Sequence, residues 1–425
     1  MRRKDFGMWT WYLAAVLISA LGIAGCGGGG GGDGGGGTSP TSPYTRIGGN
    51  NNSGDTGVAL SQAGRYVAFS SLASDLVGAG NDTNNTYDVF VYDRQTGDTT
   101  VASRVDGTFS LKIANADDLS IDPAISADGA KVAFDSMATN LISPAEPADI
   151  YSDIFVNNRD LNTTERVSVA VGGGPRDGDS HKPSISADGR FVAFYSEATN
   201  LVASDNNGVA DVFLYDRNAA TTTRVSSVAG GTVFGHAVSD DGTRVVFESP
   251  PGGGNIFLWE SGTITQVTNG NGVSQLPSIS GNGQFVVFES DASDLVAGDN
   301  NSVTDVFVYD VAAGTTERVS VSSTGEQAIG GGSYTLGHSA ISDNGNLVVF
   351  ESDATNLGGA GFPAFFVRDR AAGTTTAIAE ISAAAVSYGV TVSGDGGTAA
   401  FATDDGTIVT GDIGGLIDVF LIAYP

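Results

Sequence analysis

One turn-and-strand phrase recurs seven times in the chain, and a second β-rich phrase follows each copy. Together they predict an all-β fold: seven four-stranded antiparallel blades closed into a β-propeller. The first phrase reads AGRYVAF at Ala63, DGAKVAF at Asp128, DGRFVAF at Asp188 and DGTRVVF at Asp241. It continues as NGQFVVF at Asn282, NGNLVVF at Asn344 and DGGTAAF at Asp395. A short alternating run precedes each copy, and the Asp-Gly or Asn-Gly step between run and phrase marks a tight hairpin. These are the first and second strands of a blade.

The third strand is the phrase DVFVYDR at Asp88 and its relatives at Asp153, Asp211, Asn255, Asp305, Ala364 and Asp418. A polar turn then leads to a fourth strand such as TTTRVSS from Thr221. The seventh copy has no fourth strand after it, and the missing piece stands at the other end of the chain. Tyr44–Gly48 (YTRIG) matches TTRVS, with Arg46 and Ile47 over Arg224 and Val225, so it is expected to pair with Val419–Ile422. Such closure removes the unpaired sheet edges that invite aggregation. Blade four is short, which leaves a six-bladed ring with one irregular hairpin as the alternative. Fourteen phenylalanines recur at one position of the second strand (Phe69, Phe134, Phe194, Phe247, Phe288, Phe350, Phe401) and one of the third (Phe90, Phe155, Phe213, Phe257, Phe307, Phe366, Phe420). Aromatics this regular are expected to pack blade against blade rather than to stack on a ligand.

The repeats resemble the WD-like propeller repeats of TolB-type periplasmic proteins, and the likeness covers Tyr44 to Pro425. It implies an extracytoplasmic setting and protein–protein contacts. TolB-type propellers usually have six blades, against seven counted here.

Ahead of the repeats, Arg2, Arg3 and Lys4 lead into an apolar run from Trp9 to Ile23, the pattern of a secretory signal over residues 1–25. Ile23-Ala24-Gly25-Cys26 resembles a bacterial lipobox, which implies cleavage before Cys26 and acylation of its thiol. Residues 26–43 are a Gly/Ser/Pro-rich tether with a mean span of roughly 20–25 Å. Cys26 is the only cysteine, so neither an internal disulfide nor a thiolate metal site can form. The chain carries 48 acidic and 20 basic residues, a formal charge of −28 at pH 7. Such a surface repels nucleic acid and anionic lipid and draws cations and basic partners, although acidity also serves plain solubility.

In a propeller, the first-to-second and third-to-fourth connections share one face, and here they are short. The second-to-third and blade-crossing connections share the other, and they are long: Ser196–Ala210, Ser290–Thr304, Gly325–Gly337. Long loops on a rigid frame are where binding usually resides. Four of them place two aspartates six residues apart: Asp82/Asp88, Asp205/Asp211, Asp299/Asp305 and Asp412/Asp418. Three add an asparagine, Asn84, Asn207 and Asn301. This oxygen-rich spacing suits calcium, the candidate cofactor, and suits equally well side chains that pin a turn through backbone N–H groups. The three histidines, His181, His236 and His338, fall just ahead of first strands, near the channel mouth with Asp122 and Lys182. They could gather a metal or supply a general base, or serve as ordinary hydrogen-bonded loop residues.

No nucleophile elbow, paired-histidine zinc motif or phosphate loop is present. The expectation is therefore a monomeric, lipid-anchored, non-enzymatic propeller. It would bind a protein or envelope polymer through the long-loop face, with the membrane held through acyl-Cys26. The alternative is a metal-dependent hydrolase or lyase on saccharide or lactone substrates.

Overall fold

The computed structural model describes residues 43–424, apart from 79–81, 83, 106–117, 143–150, 174–175, 227–234, 250–253, 335–339, 360–362, 383–384, 410–411 and 413–414. The signal, Cys26, almost all of the tether and His338 lie outside the described residues.

Residues 43–424 form seven four-stranded antiparallel sheets. Blades 1 to 6 span 53–101, 120–166, 180–224, 236–266, 274–318 and 333–380, and blade 7 joins 387–423 to the strand Tyr44–Ile47. The six-bladed alternative falls away because the short fourth blade is complete, running His236–Val238, Arg244–Ser249, Asn255–Glu260 and Thr263–Gln266. The amino-terminal strand closes blade 7 in the expected register, Tyr44 opposite Ile422, Arg46 opposite Phe420 and Ile47 opposite Val419.

Within a blade the two repeat phenylalanines sit directly opposite one another, as Phe69 with Phe90 and Phe194 with Phe213, their rings stacked about 6 Å apart. Side chains alternate across a strand, so the other face of each blade offers small and β-branched residues. The pair from one blade packs on that face of its neighbour: Phe134 and Phe155 lie against Ala68, Val89 and Val91. Phe69 and Phe90 close the circle against Ala400, Val419 and Leu421 of blade 7. Each fully buried phenylalanine contributes roughly 2–3 kcal/mol. The core is therefore a chain of interfaces around the ring.

The repeat's polar residues are also structural. In blade 2, Ser126 Oγ donates to Asp128 Oδ1 at 2.6 Å, and Oδ1 accepts the Ala130 N–H at 2.9 Å, which fixes the hairpin. The arginine that ends the third-strand phrase reaches back to the glycine carbonyl of that hairpin, as Arg94 does to Gly64 and Arg159 to Gly129.

Candidate functional site

On the long-loop face, the paired aspartates meet an arginine from their own blade's fourth strand. Register explains this. Arg224 pairs with Phe213 and Arg318 with Phe307, so each guanidinium projects over the loop that enters the third strand. Arg224 Nη1 lies 2.9 Å from Asp205 Oδ1 and 3.4 Å from Asp211 Oδ2. Arg318 Nη1 lies 2.9 Å from Asp299 Oδ1 and 3.3 Å from Asp305 Oδ2. In blade 7, Arg46 Nη2 stands 3.6 Å from Asp412 Oδ1 and 2.7 Å from Asp418 Oδ2. The asparagines join in: Asn84, Asn207 and Asn301 donate to Asp88, Asp211 and Asp305 at 2.7–2.8 Å. A serine after the fourth strand completes the set, Ser226 donating to Asp211 Oδ1 and Ser320 to Asp305 Oδ1.

Blade 1 breaks the pattern. Val101, not arginine, stands opposite Phe90. Asp82 and Asp88 are 5% and 0% exposed. Burial pushes the Asp88 carboxyl up to about 7, against the hydrogen bonds of Ser103 and Asn84, and the charge of Asp82 raises it further.

At the same end of the channel, acidic residues tie blades together. The residue after the second-strand phenylalanine is Asp135 in blade 2, Glu248 in blade 4 and Glu351 in blade 6. Each faces the first strand of the next blade. For Asp135 and Glu248 a left-handed residue before proline makes a bulge there, Lys182 (φ 53°) and Leu276 (φ 51°), and Asp122 (φ 51°) holds the same place in the first strand of blade 2. The Leu276 N–H donates to Glu248 Oε2 at 2.7 Å, the Lys182 N–H to Asp135 Oδ2 at 3.4 Å, and Ser387 Oγ to Glu351. His181 Nδ1 lies 3.1 Å from Asp135 Oδ2, and the ring packs 5.5 Å from that of Tyr195. Burial works against the imidazolium, but the hydrogen bond and charge of Asp135 outweigh it and raise the His181 pKa. This pair can hold a proton at the channel wall. His181 and His236 both lie inside first strands rather than ahead of them. Among the described residues, no three His, Cys, Asp or Glu side chains converge as a metal centre would.

The short-turn end of the channel is more than a set of turns. The residue between Ser and Asp/Asn of each hairpin forms a belt of backbone hydrogen bonds. Gln62 N–H donates to Ala127, Ala127 to Ala187, Ala187 to Asp240 and Asp240 to Gly281; Asn282 donates to Asp343, Asp343 to Gly394 and Asp395 to Gln62, all at 2.8–3.1 Å. Behind the belt is a cavity of 120 Å³ lined by all seven blades. A drug-sized ligand needs 300 Å³ or more, so this space suits a few waters. Asp240 and Asp343 face each other across Gly281, where a Cβ would meet Asp240 Oδ2 at 2.3 Å and Asp343 Oδ1 at 2.7 Å. Burial, then the charge of Asp343, pushes Asp240 up to about 6. A folded-state pKa above the ordinary 3.8 means the native state holds this proton more tightly. Asp240 therefore weakens the fold progressively as pH rises from about 4 to about 6. Asp240→Asn is expected to raise Tm at pH 7.5 and leave it unchanged at pH 4; melting curves at both pH values check this, and equal shifts would contradict it.

The long-loop face also carries apolar side chains in water. Among the described residues four large hydrophobics are exposed: Leu161 (67%), Val171 (60%), Ile329 (53%) and Val386 (49%). Leu161 sits in a third-to-fourth turn, but the other three lie on blade-crossing loops. Those loops are held in place, Val171 N–H donating to the Asn200 carbonyl and Val386 N–H to Asp404 Oδ1.

No protein-family model matches the chain, and no curated protein matches its sequence. Solved structures do match its fold. An oligogalacturonate lyase from Vibrio parahaemolyticus superposes with a TM-score of 0.56 at 10% identity, over 90% of this chain and 93% of that one. The propeller domain of the Trilobed protease from Pyrococcus furiosus gives 0.52 at 13% identity, over 86% and 93%. TolB from Acinetobacter baumannii is also among the matches, at 0.40 and 16% identity, covering 68% of this chain and 58% of TolB, an overlap too loose to bear on function. Identities this low describe a shared architecture, so the finding is that the chain is a seven-bladed β-propeller similar in fold to lyase and protease propellers.

Proposed function

We propose that this chain is an extracytoplasmic binding module, held to a membrane by acyl-Cys26 and the tether 26–43, that recognises a protein or envelope polymer through its long-loop face. The observation that carries the reading is the placement of Val171, Ile329 and Val386. Three of the four exposed large hydrophobics among the described residues project from pinned crossing loops on one face. Water-exposed apolar groups on a rigid rim favour a partner that covers them. The formal charge of −28 disfavours nucleic acid as that partner. The lyase neighbours share the architecture alone, and function resides in sites rather than folds.

Crosslinking of the full chain in envelope fractions tests the proposal. A Val171→Ser/Ile329→Ser/Val386→Ser variant is expected to lose its crosslinked species, while Leu161→Ser on the opposite face keeps it. Cys26→Ser should move the chain from membranes to the soluble fraction. Equal crosslinking by both surface variants would overturn the face assignment. Stoichiometric manganese that disappears on His236→Ala would favour a metal-dependent enzyme instead.

A further inference from the structure

Three blades place an arginine on the same two carboxylate oxygens, and one does not. Asp205 Oδ1, Asp299 Oδ1 and Asp412 Oδ1 each face a guanidinium. Their counterpart in blade 1, Asp82 Oδ1, is buried and makes no hydrogen bond. The arginine stands thirteen residues after the third-strand aspartate in blades 3 and 5; in blade 1 that position is Val101, whose apolar side chain offers no charge. A second change accompanies it. Thr86 takes the place of Val209 and Val303 in the sister loops, and its hydroxyl oxygen is likewise buried without a hydrogen bond. Two desolvated carboxylates cannot both stay ionised without a compensating cation. The loop therefore has the sister blades' acid pair, lacks their cation and has gained an oxygen.

We propose that blade 1 binds one calcium ion between Asp82 and Asp88, in the place an arginine guanidinium fills in blades 3, 5 and 7. A hard divalent ion suits a carboxylate pair backed by hydroxyl and carbonyl oxygens, with water completing its shell. The ion fixes the second-to-third loop of blade 1 as Arg224 and Arg318 fix theirs, so the site stabilises the long-loop face without taking part in chemistry.

The test uses the full chain stripped with EDTA, read by titration calorimetry and thermal melting in calcium or magnesium chloride. Calcium is expected to bind one to one and to raise Tm by roughly 3–8 °C at a hundredfold excess over Kd. Magnesium, which keeps its waters, should do far less. Val101→Arg should abolish binding while raising Tm in EDTA, since it supplies the arginine of the sister blades. Asp82→Asn should abolish binding without that gain, and it keeps the test valid if arginine cannot be packed at 101. Absence of calcium binding to the wild-type chain, or full binding by Asp82→Asn, overturns the proposal. So does a calcium-independent Tm that falls between pH 6 and 8, because the pair would then share a proton instead.

Discussion

Deletion of Tyr44–Gly48 lowers the melting temperature by roughly 10 °C or more, the largest effect expected of any change to this chain. The strand is short, but its loss opens the ring at its last blade. Four residue pairs with the third strand of blade 7 disappear, and Ile47, 4% exposed beside Val419 and Leu421, is withdrawn from the core. Burial of one such side chain is worth roughly 1.5–3 kcal/mol. A larger cost comes from charge. Asp418 is 0% exposed, and its ion pair with Arg46 leaves with the strand. Breaking one side of a buried pair costs roughly 3–5 kcal/mol. Burial already pushes Asp418 up to about 6 despite Arg46, so the penalty should be greatest above that pH, where the carboxyl must ionise. Gly48→Ala should reproduce part of the loss, since a Cβ there would come within 1.6 Å of Asp418 Oδ1. Scanning calorimetry of both variants at pH 5 and pH 8 checks the account. An unchanged melting curve for the deletion would show that the ring does not depend on its closing strand.

The fold could be read from the chain because each blade is spelled with the same words. Phrase position alone gave the second and third strands, and the match of Arg46-Ile47 to Arg224-Val225 placed the closing strand in the register observed. The site was harder to read because its partners come from different strands. Asp211 and Arg224 are thirteen residues apart, and Asp305 and Arg318 keep the same spacing. That recurrence was visible, but only the hairpin between third and fourth strands shows that it means contact. Reading the aspartates alone leaves both calcium and turn-pinning open in all four loops, with turn-pinning the favoured reading. Adding the arginine column separates blade 1 from the rest. The acids Asp135, Glu248, Glu289 and Glu351 are hard to read for another reason: their column also holds Ser70, Tyr195 and Ala402, so no single residue type marks it. A variable column inside a constant strand is itself a signal, because packing fixes its neighbours while this position answers to the first strand of the next blade. The belt at the short-turn end is made by backbone atoms, which no side-chain pattern encodes.

The second large effect follows from the arginine column. Arg318→Ala is expected to cost roughly 3–5 kcal/mol at pH 7.5, a fall in Tm of roughly 5–10 °C. The Arg318 side chain is 10% exposed, against 5% for Asp299 and 0% for Asp305, so neither carboxylate can turn to solvent when the guanidinium is removed. Burial already raises the Asp299 pKa, with Arg318 opposing it. Without the arginine the Asp299 carboxyl rises further, the folded state binds its proton more tightly than the unfolded chain, and stability is lost as pH rises through the shifted value. The variant should therefore lose most at pH 8 and least near pH 5, and melting curves across that range measure the difference. It should also come to resemble blade 1: a buried Asp pair, an asparagine donating to the second acid, and no cation. Calcium added to Arg318→Ala is then expected to recover part of the lost Tm and to bind at one site more than in the wild-type chain. A pH-independent loss would mean that Arg318 acts by packing its stem rather than by its charge. Loss with the expected pH slope but no calcium recovery would show that this loop excludes the ion, and that Thr86 is what distinguishes the first blade.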